Sequence, residues 1–125
     1  MGLFNAIMGN ASEVDIVKLR EEFSPILVPG ENIEKAFKVI RDMFVFTNKR
    51  FILVDKQGIT GSKVEYLSIP YGSVIKFSKE SAGILDLDAD LRIWVKGQDQ
   101  PIVKKFGKDN NINQVYQILS QYILG

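Results

Sequence analysis

The sequence predicts a mostly β protein: seven short antiparallel strands in a sheet curled on itself, plugged by a C-terminal helix and preceded by an extra N-terminal helix. Three observations carry this reading. From about residue 34 the chain runs in short segments of period two, rich in β-branched and aromatic residues. Tight turns separate these segments and no helix lies between them, so parallel pairing has no crossover to use. The end of the chain then switches to helical spacing with one strong apolar face.

Taken in order, Ser12 reads as a helix cap, with Glu13 and Asp15 in the first turn where acids favour the helix dipole. Ile16, Leu19 and Phe23 follow at helical spacing, and Pro25 cannot continue the run, which predicts a helix over 12–23. Strands are predicted at 34–40, 43–47, 50–55, about 62–69, 73–79, 84–96 and 101–106. Arg41-Asp42, Thr47-Asn48-Lys49, Lys56-Gln57-Gly58, Pro70-Tyr71-Gly72 and Gly97–Gln100 supply turns between them. The clearest alternation is 84–96, where Leu85, Leu87, Ala89, Leu91, Ile93 and Val95 interleave with polar residues and Trp94. A helix over 110–123 follows, its stripe formed by Ile112, Val115, Tyr116, Leu119, Tyr122 and Ile123. The organisation is an N-terminal helical extension and linker, 1–30, and a β domain with the closing helix, 31–125.

With 125 residues the chain holds one domain and one core. His and Cys are both absent, which removes imidazole- and thiolate-based nucleophiles, zinc clusters and disulfides. Sixteen Lys+Arg against 15 Asp+Glu leave a net charge of +1, which argues against a protein built to hold nucleic acid or anionic membrane. No stretch approaches a spanning helix, and the start lacks a basic signal region. Gly2 lacks the Ser or Thr that myristoylation wants at position six, which is Ala6. Asn10-Ala11-Ser12 is a chance sequon without a signal. The expectation is a cytoplasmic chain with no cofactor and no enzymatic activity.

Four segments together resemble the bacterial pleckstrin-homology (PH) family: Leu27-Val28-Pro29-Gly30-Glu31, Phe46 to Val54, Tyr66-Leu67-Ser68-Ile69-Pro70-Tyr71, and Leu85 to Trp94. The resemblance covers residues 10–124. It implies a seven-stranded, strongly bent antiparallel barrel or sandwich capped by the C-terminal helix, ring-shaped homo-oligomers and no assigned catalysis.

Several residue groups are candidates for function. Eukaryotic PH domains often hold phosphoinositides in a basic loop between the first two strands; here Lys38, Arg41, Lys49 and Arg50 are the weak lipid candidates, with Lys35 nearby. Asp86, Asp88 and Asp90, with Arg92, form a charge cluster that begins like a calcium loop. Leu91 and Gly97 stand where such a loop needs Gly and Glu, so the alternatives are a solvated turn, a weak cation site or an intersubunit salt bridge. Ser73 and Lys76 spell an acylase pattern, but odd spacing in a strand sends them to opposite faces. Gly107-Lys108 lacks the upstream Gly of a phosphate loop. Trp94 lies on the polar face of its strand, either covered within the chain or an interface anchor.

Two features favour assembly. The runs Val39–Phe46 and Phe51–Val54 are apolar on both strand faces, so one face needs cover from the N-terminal helix or from a neighbouring subunit. The final helix carries a neutral face of Asn113, Gln114, Gln117, Ser120 and Gln121, suited to docking without burying ions. Trp94, Asn113, Gln117, Gln121, Phe44 and Phe46 are therefore the candidate interface. The expected function is a non-catalytic, self-assembling scaffold or protein-binding module, its partner chiefly itself, with no nucleic acid. The alternative is a phosphoinositide- or anionic-lipid-binding module at a membrane surface.

Overall fold

In the computed structural model of the protein, described for residues 12–13, 15–39, 42–57, 63–81, 88–107 and 112–125, two antiparallel sheets face each other. The first has strand order β1 (Ser12–Glu13), β2 (Ile33–Val39), β3 (Asp42–Thr47), β4 (Arg50–Gln57) and β5 (Lys63–Pro70). The second has β6 (Val74–Ser81), β7 (Asp88–Val95) and β8 (Ile102–Gly107). A single 3-10 turn, Tyr71–Ser73, carries the chain from one sheet to the other. The predicted seven strands are all present, and the short β1 is added to them.

The first helix, α1, is Ile16–Phe23, shorter than predicted. Its cap is Asp15, not Ser12: the Asp15 carboxylate accepts the Val17 N–H at 3.0 Å. Ser12 and Glu13 are spent otherwise, pairing with Lys38 and Phe37 as β1. Asp42, expected in a turn, is the first residue of β3, paired with Val39 and with Asp55. The long predicted strand 84–96 is described from Asp88, and its earlier part lies outside the described residues. The closing helix, α2, is Ile112–Leu124.

Strands β3 and β4 are buried on both faces. Phe44, Phe46, Phe51 and Leu53 point between the sheets, where they meet Leu91 and Ile93 of β7, Phe106 of β8 and Val115 and Leu119 of α2. Val45, Ile52 and Val54 point the other way, and Leu19 and Phe23 of α1 pack on them together with Ile33 and Ala36. This settles which element covers the second apolar face: the chain's own helix does so. It also corrects the placing of Phe44 and Phe46 in an interface, because both are fully buried within the chain's own core. The period-two pattern identifies two apolar faces but carries no information about which element covers each.

A row of aromatic rings ties α2 to the first sheet. Phe51 stacks on Phe46 at 4.7 Å, Phe46 on Tyr122 at 5.6 Å and Tyr122 on Tyr71 at 4.8 Å, all within 14° of parallel. The Tyr71 hydroxyl donates to the Thr47 carbonyl at 2.7 Å, and the Tyr122 hydroxyl donates to Glu34.

Leu119 sits in the middle of the α2 stripe with no exposed surface. Leu119→Asp is expected to unfold the protein or leave it molten, since a buried unpaired carboxylate costs several kcal/mol, about the whole margin of a small domain. The thermal midpoint and near-UV circular dichroism check this; an unchanged midpoint would show that α2 does not plug the core.

Candidate functional site

Three of the four segments that carry the family resemblance converge on one buried ion pair. Glu31 ends the segment Leu27–Glu31, and its side chain has no exposed surface. Arg50, at the start of β4, grips it in two places: Nε to Oε2 at 2.8 Å and Nη2 to Oε1 at 2.8 Å. The same guanidinium reaches the Ile26 carbonyl at 2.7 Å and the Ser68 hydroxyl on β5 at 3.0 Å. Thr47 donates its hydroxyl to Glu31 Oε2 at 2.7 Å, and its oxygen accepts the Arg50 backbone N–H at 2.9 Å. The Val28 N–H donates to Oε1 at 3.1 Å, so each carboxylate oxygen accepts two bonds. Gly30 takes a φ of 84°, which favours glycine, and its carbonyl accepts the Asn48 amide at 3.0 Å. Hydrogen bonds from Arg50 hold the Glu31 carboxyl down at about 2, against the opposing effect of burial. A carboxylate so fully engaged has no lone pair left for a ligand; the site is a clamp joining the linker after α1 to the β3–β4 hairpin.

The clamp corrects the lipid reading of Arg50, four of whose five N–H donors go to Glu31, Ile26 and Ser68. Lys38 and Lys49 are exposed but do not converge. Lys38 pairs opposite Met43, whereas Lys49 follows Thr47 at the other end of β3, roughly 15 Å along the strand. Arg41 lies outside the described residues.

On the outer face of the second sheet, Arg92 pairs with Glu80 at 2.8 Å and with Asp90 at 3.3 Å, and Lys105 meets Asp90 at 3.4 Å. Opposed registers place these residues side by side across β6, β7 and β8. Asp90 and Arg92 thus form intrachain pairs; Asp86 and the side chain of Asp88 lie outside the described residues. Among the described residues no three carboxylates are grouped to hold a metal.

Trp94 is half-buried, with the Lys76 ammonium 4.7 Å from its ring centroid. Ser73 instead donates to the Pro70 carbonyl at 2.7 Å, so Ser73 and Lys76 do not form an acylase pair. Asn113 accepts a hydrogen bond from Lys79, while Gln117 and Gln121 are exposed on α2.

Two features escaped the sequence reading. Lys104 of β8 reaches across to the first sheet, 3.5 Å from both Asp42 and Asp55. Burial, reinforced by Asp55 and opposed by the Lys104 charge, pushes the Asp42 carboxyl up. The alternation of β8 places Lys104 inward, which was the available signal. The second feature is an apolar cleft of about 350 Å³ between the end of β5 and the β7–β8 turn, lined by Leu67, Ile69, Pro70, Val95 and Ile102, with Lys96 among its polar residues. It lies beside the border of the first sheet, where β5 has β4 on one side and, among the described residues, no strand partner on the other. Here the border of the sheet meets the half-buried apolar side chains of Leu67, Val95 and Ile102.

Two facing antiparallel sheets, joined at a corner and capped by a C-terminal helix, define a pleckstrin-homology-type domain. The chain belongs to the bacterial PH domain family, whose model matches residues 2–123. It is 50% identical to the uncharacterized protein YjqA of Bacillus subtilis (strain 168) over 121 residues, 96% of this chain and 97% of that one. Among solved structures it resembles the pleckstrin homology domain from Shewanella amazonensis SB2B, with a TM-score of 0.88 and 48% identity, covering 98% of each chain. It also resembles a DUF1696-family protein with a pleckstrin-homology domain from Shewanella loihica PV-4, with a TM-score of 0.77 and 45% identity, covering 92% of this chain and 98% of that one. No helix among the described residues is long and apolar enough to cross a membrane.

The clamp has a pH signature. Glu31 is held at about 2, below its ordinary 4.5, so its contribution is fully present above about pH 5 and is lost as the pH falls toward 2. The contribution is on the order of 3 kcal/mol. Glu31→Gln is expected to lower stability by about that amount at pH 7. The gap between wild type and variant should narrow steadily in urea melts taken from pH 5 to pH 3; a constant gap would show that the charge of Glu31 is not what the clamp uses.

Proposed function

We propose that this PH-type domain is a non-catalytic, self-assembling scaffold or protein-binding module, acting in the cytoplasm as a ring-shaped homo-oligomer. The single observation that carries the reading is the border strand β5 beside its apolar cleft, where backbone hydrogen-bonding groups and apolar lining are offered together. The apolar faces of β3 and β4 no longer support it, since α1 and the intersheet core cover them. Support comes also from the exposed amides Gln117 and Gln121 on α2 and from exposed Leu124 beyond them. A head-to-tail contact between unlike surfaces repeats until the ring closes. The lipid-binding alternative loses one of its four candidate cations, Arg50, to the clamp.

Light scattering coupled to size exclusion tests the assembly. The chain is expected to run well above its 14.1 kDa. If Trp94 anchors the ring contact, Trp94→Ala costs about 2 kcal/mol or more per contact and shifts the assembly at micromolar concentration. Gln117→Arg buries a charge if that face of α2 is docked and does little if it faces water. A mass of one subunit at high concentration would overturn the assembly reading; intact oligomers of both variants would move the ring contact away from Trp94 and Gln117.

A further inference from the structure

Three charged side chains meet at one end of the intersheet core, and their charges do not balance. Asp42, the first residue of β3, and Asp55 of β4 are direct partners in the strand register, so their side chains leave the same face of the first sheet. It is the face from which Phe44 and Leu53 enter the core. From the second sheet Lys104 reaches both, its ammonium 3.5 Å from Oδ2 of Asp42 and 3.5 Å from Oδ2 of Asp55. All three residues are half-buried.

The elements packed around this cluster add little charge to it. β5 sets Glu65 opposite Asp55, with Lys63 two residues before it on the same face, and both are exposed. β2 sets Val39 opposite Asp42, and β7 sets Leu91 opposite Lys104. Lys79 of β6 donates to Asn113, and α2 itself carries no charged residue. Gln57, the next residue along the same face of β4, hydrogen-bonds Asp55. One ammonium therefore serves two carboxyl groups, which are also within hydrogen-bonding reach of each other. With both ionised, the cluster holds one negative charge in excess, and like charges directly opposite on neighbouring strands repel. A single proton removes the excess. Asp42 then donates to Asp55, and Asp55 keeps the charge that Lys104 pairs with. A second proton would leave the ammonium without a counter-charge.

We propose that Asp42, Asp55 and Lys104 form a pH-sensitive tie between the two sheets, complete only when the aspartate pair holds one proton. This goes beyond the assembly reading and holds for a single subunit. Burial pushes the Asp42 carboxyl above its ordinary 3.8, whereas the Lys104 charge and hydrogen bonds from Gln57, Asp42 and Lys104 hold Asp55 below 3.8 against the effect of burial. The contribution of Asp42, raised in the folded state, is full below 3.8 and is lost as the pH rises through the raised value. The contribution of Asp55, lowered in the folded state, is full above 3.8 and is lost as the pH falls through the lowered value. The two overlap around 3.8, so the tie is strongest in acid and slackens toward neutral pH.

The test compares urea unfolding of the full chain and of Asp42→Asn between about pH 7 and pH 4. The amide keeps a donor for Asp55 and removes the surplus charge. The variant is expected to have the higher urea midpoint at pH 7, and its advantage is expected to close as the pH falls. Glu21→Gln, the same change of charge on the exposed side of α1, is expected to show no such convergence. A carboxyl-carbon NMR titration reads the pair itself, with the Asp42 step expected above 3.8 and the Asp55 step below it. Lys104→Met is expected to move the Asp55 step upward. An Asp42→Asn variant no more stable than wild type at pH 7, a stability difference that stays constant down to pH 4, two carboxyls that both titrate at 3.8, or an Asp55 step unmoved by Lys104→Met would each overturn the proposal.

Discussion

The structure depends on the two-pronged grip of Arg50 on Glu31. Without it the linker after α1, where Val28, Pro29 and Gly30 are exposed, keeps only the Asn48 amide bond to Gly30 and the packing of Ile26 and Leu27 as the side-chain contacts described for it. With it, one guanidinium holds the end of α1 through Ile26, the carboxylate through two bonds, and β5 through Ser68. Pairing two charges in the interior is worthwhile only where geometry is good and the remaining polar atoms are satisfied. Thr47 and the Val28 N–H supply that satisfaction. Among the described residues no buried side-chain polar atom is left without a partner.

The clamp also decides where α1 lies, and α1 decides how β3 and β4 can be built. Phe23, the last residue of α1, is fully buried on the outer face of the first sheet. Because that face is covered, β3 and β4 can be apolar on both sides, which is unusual for antiparallel strands, where one face commonly meets water. The two apolar clusters therefore share a common wall. Lys104, reaching from β8 to Asp42 and Asp55, ties the second sheet to the same wall with charge instead of packing.

The strands were legible because alternation and turn residues report local geometry, and each of the seven predicted strands has a counterpart. The cap of α1 was misplaced by three residues because Ser12 and Asp15 are equally good caps in isolation; pairing of Ser12 with Lys38 decides between them, and that pairing is long-range. Phe44 and Phe46 were misassigned for a related reason: an apolar residue shows that it needs cover, not what covers it. Arg50 looked like a free cation because Glu31, nineteen residues earlier, is distant in sequence. The cleft between β5 and the β7–β8 turn could not be read at all, since it is made by two sheets meeting at a corner rather than by any motif.

The position of Trp94 gives the molecule a built-in optical separation. It is the single tryptophan of the chain, and it belongs to neither apolar cluster. The tyrosines Tyr71 and Tyr122, by contrast, are stacked into the row that joins α2 to the first sheet. Indole emission therefore reports the outer face of the second sheet and the nearness of the Lys76 ammonium. Tyrosine ellipticity reports the seating of α2. Events at the surface and events in the core of this domain are thus written in different chromophores.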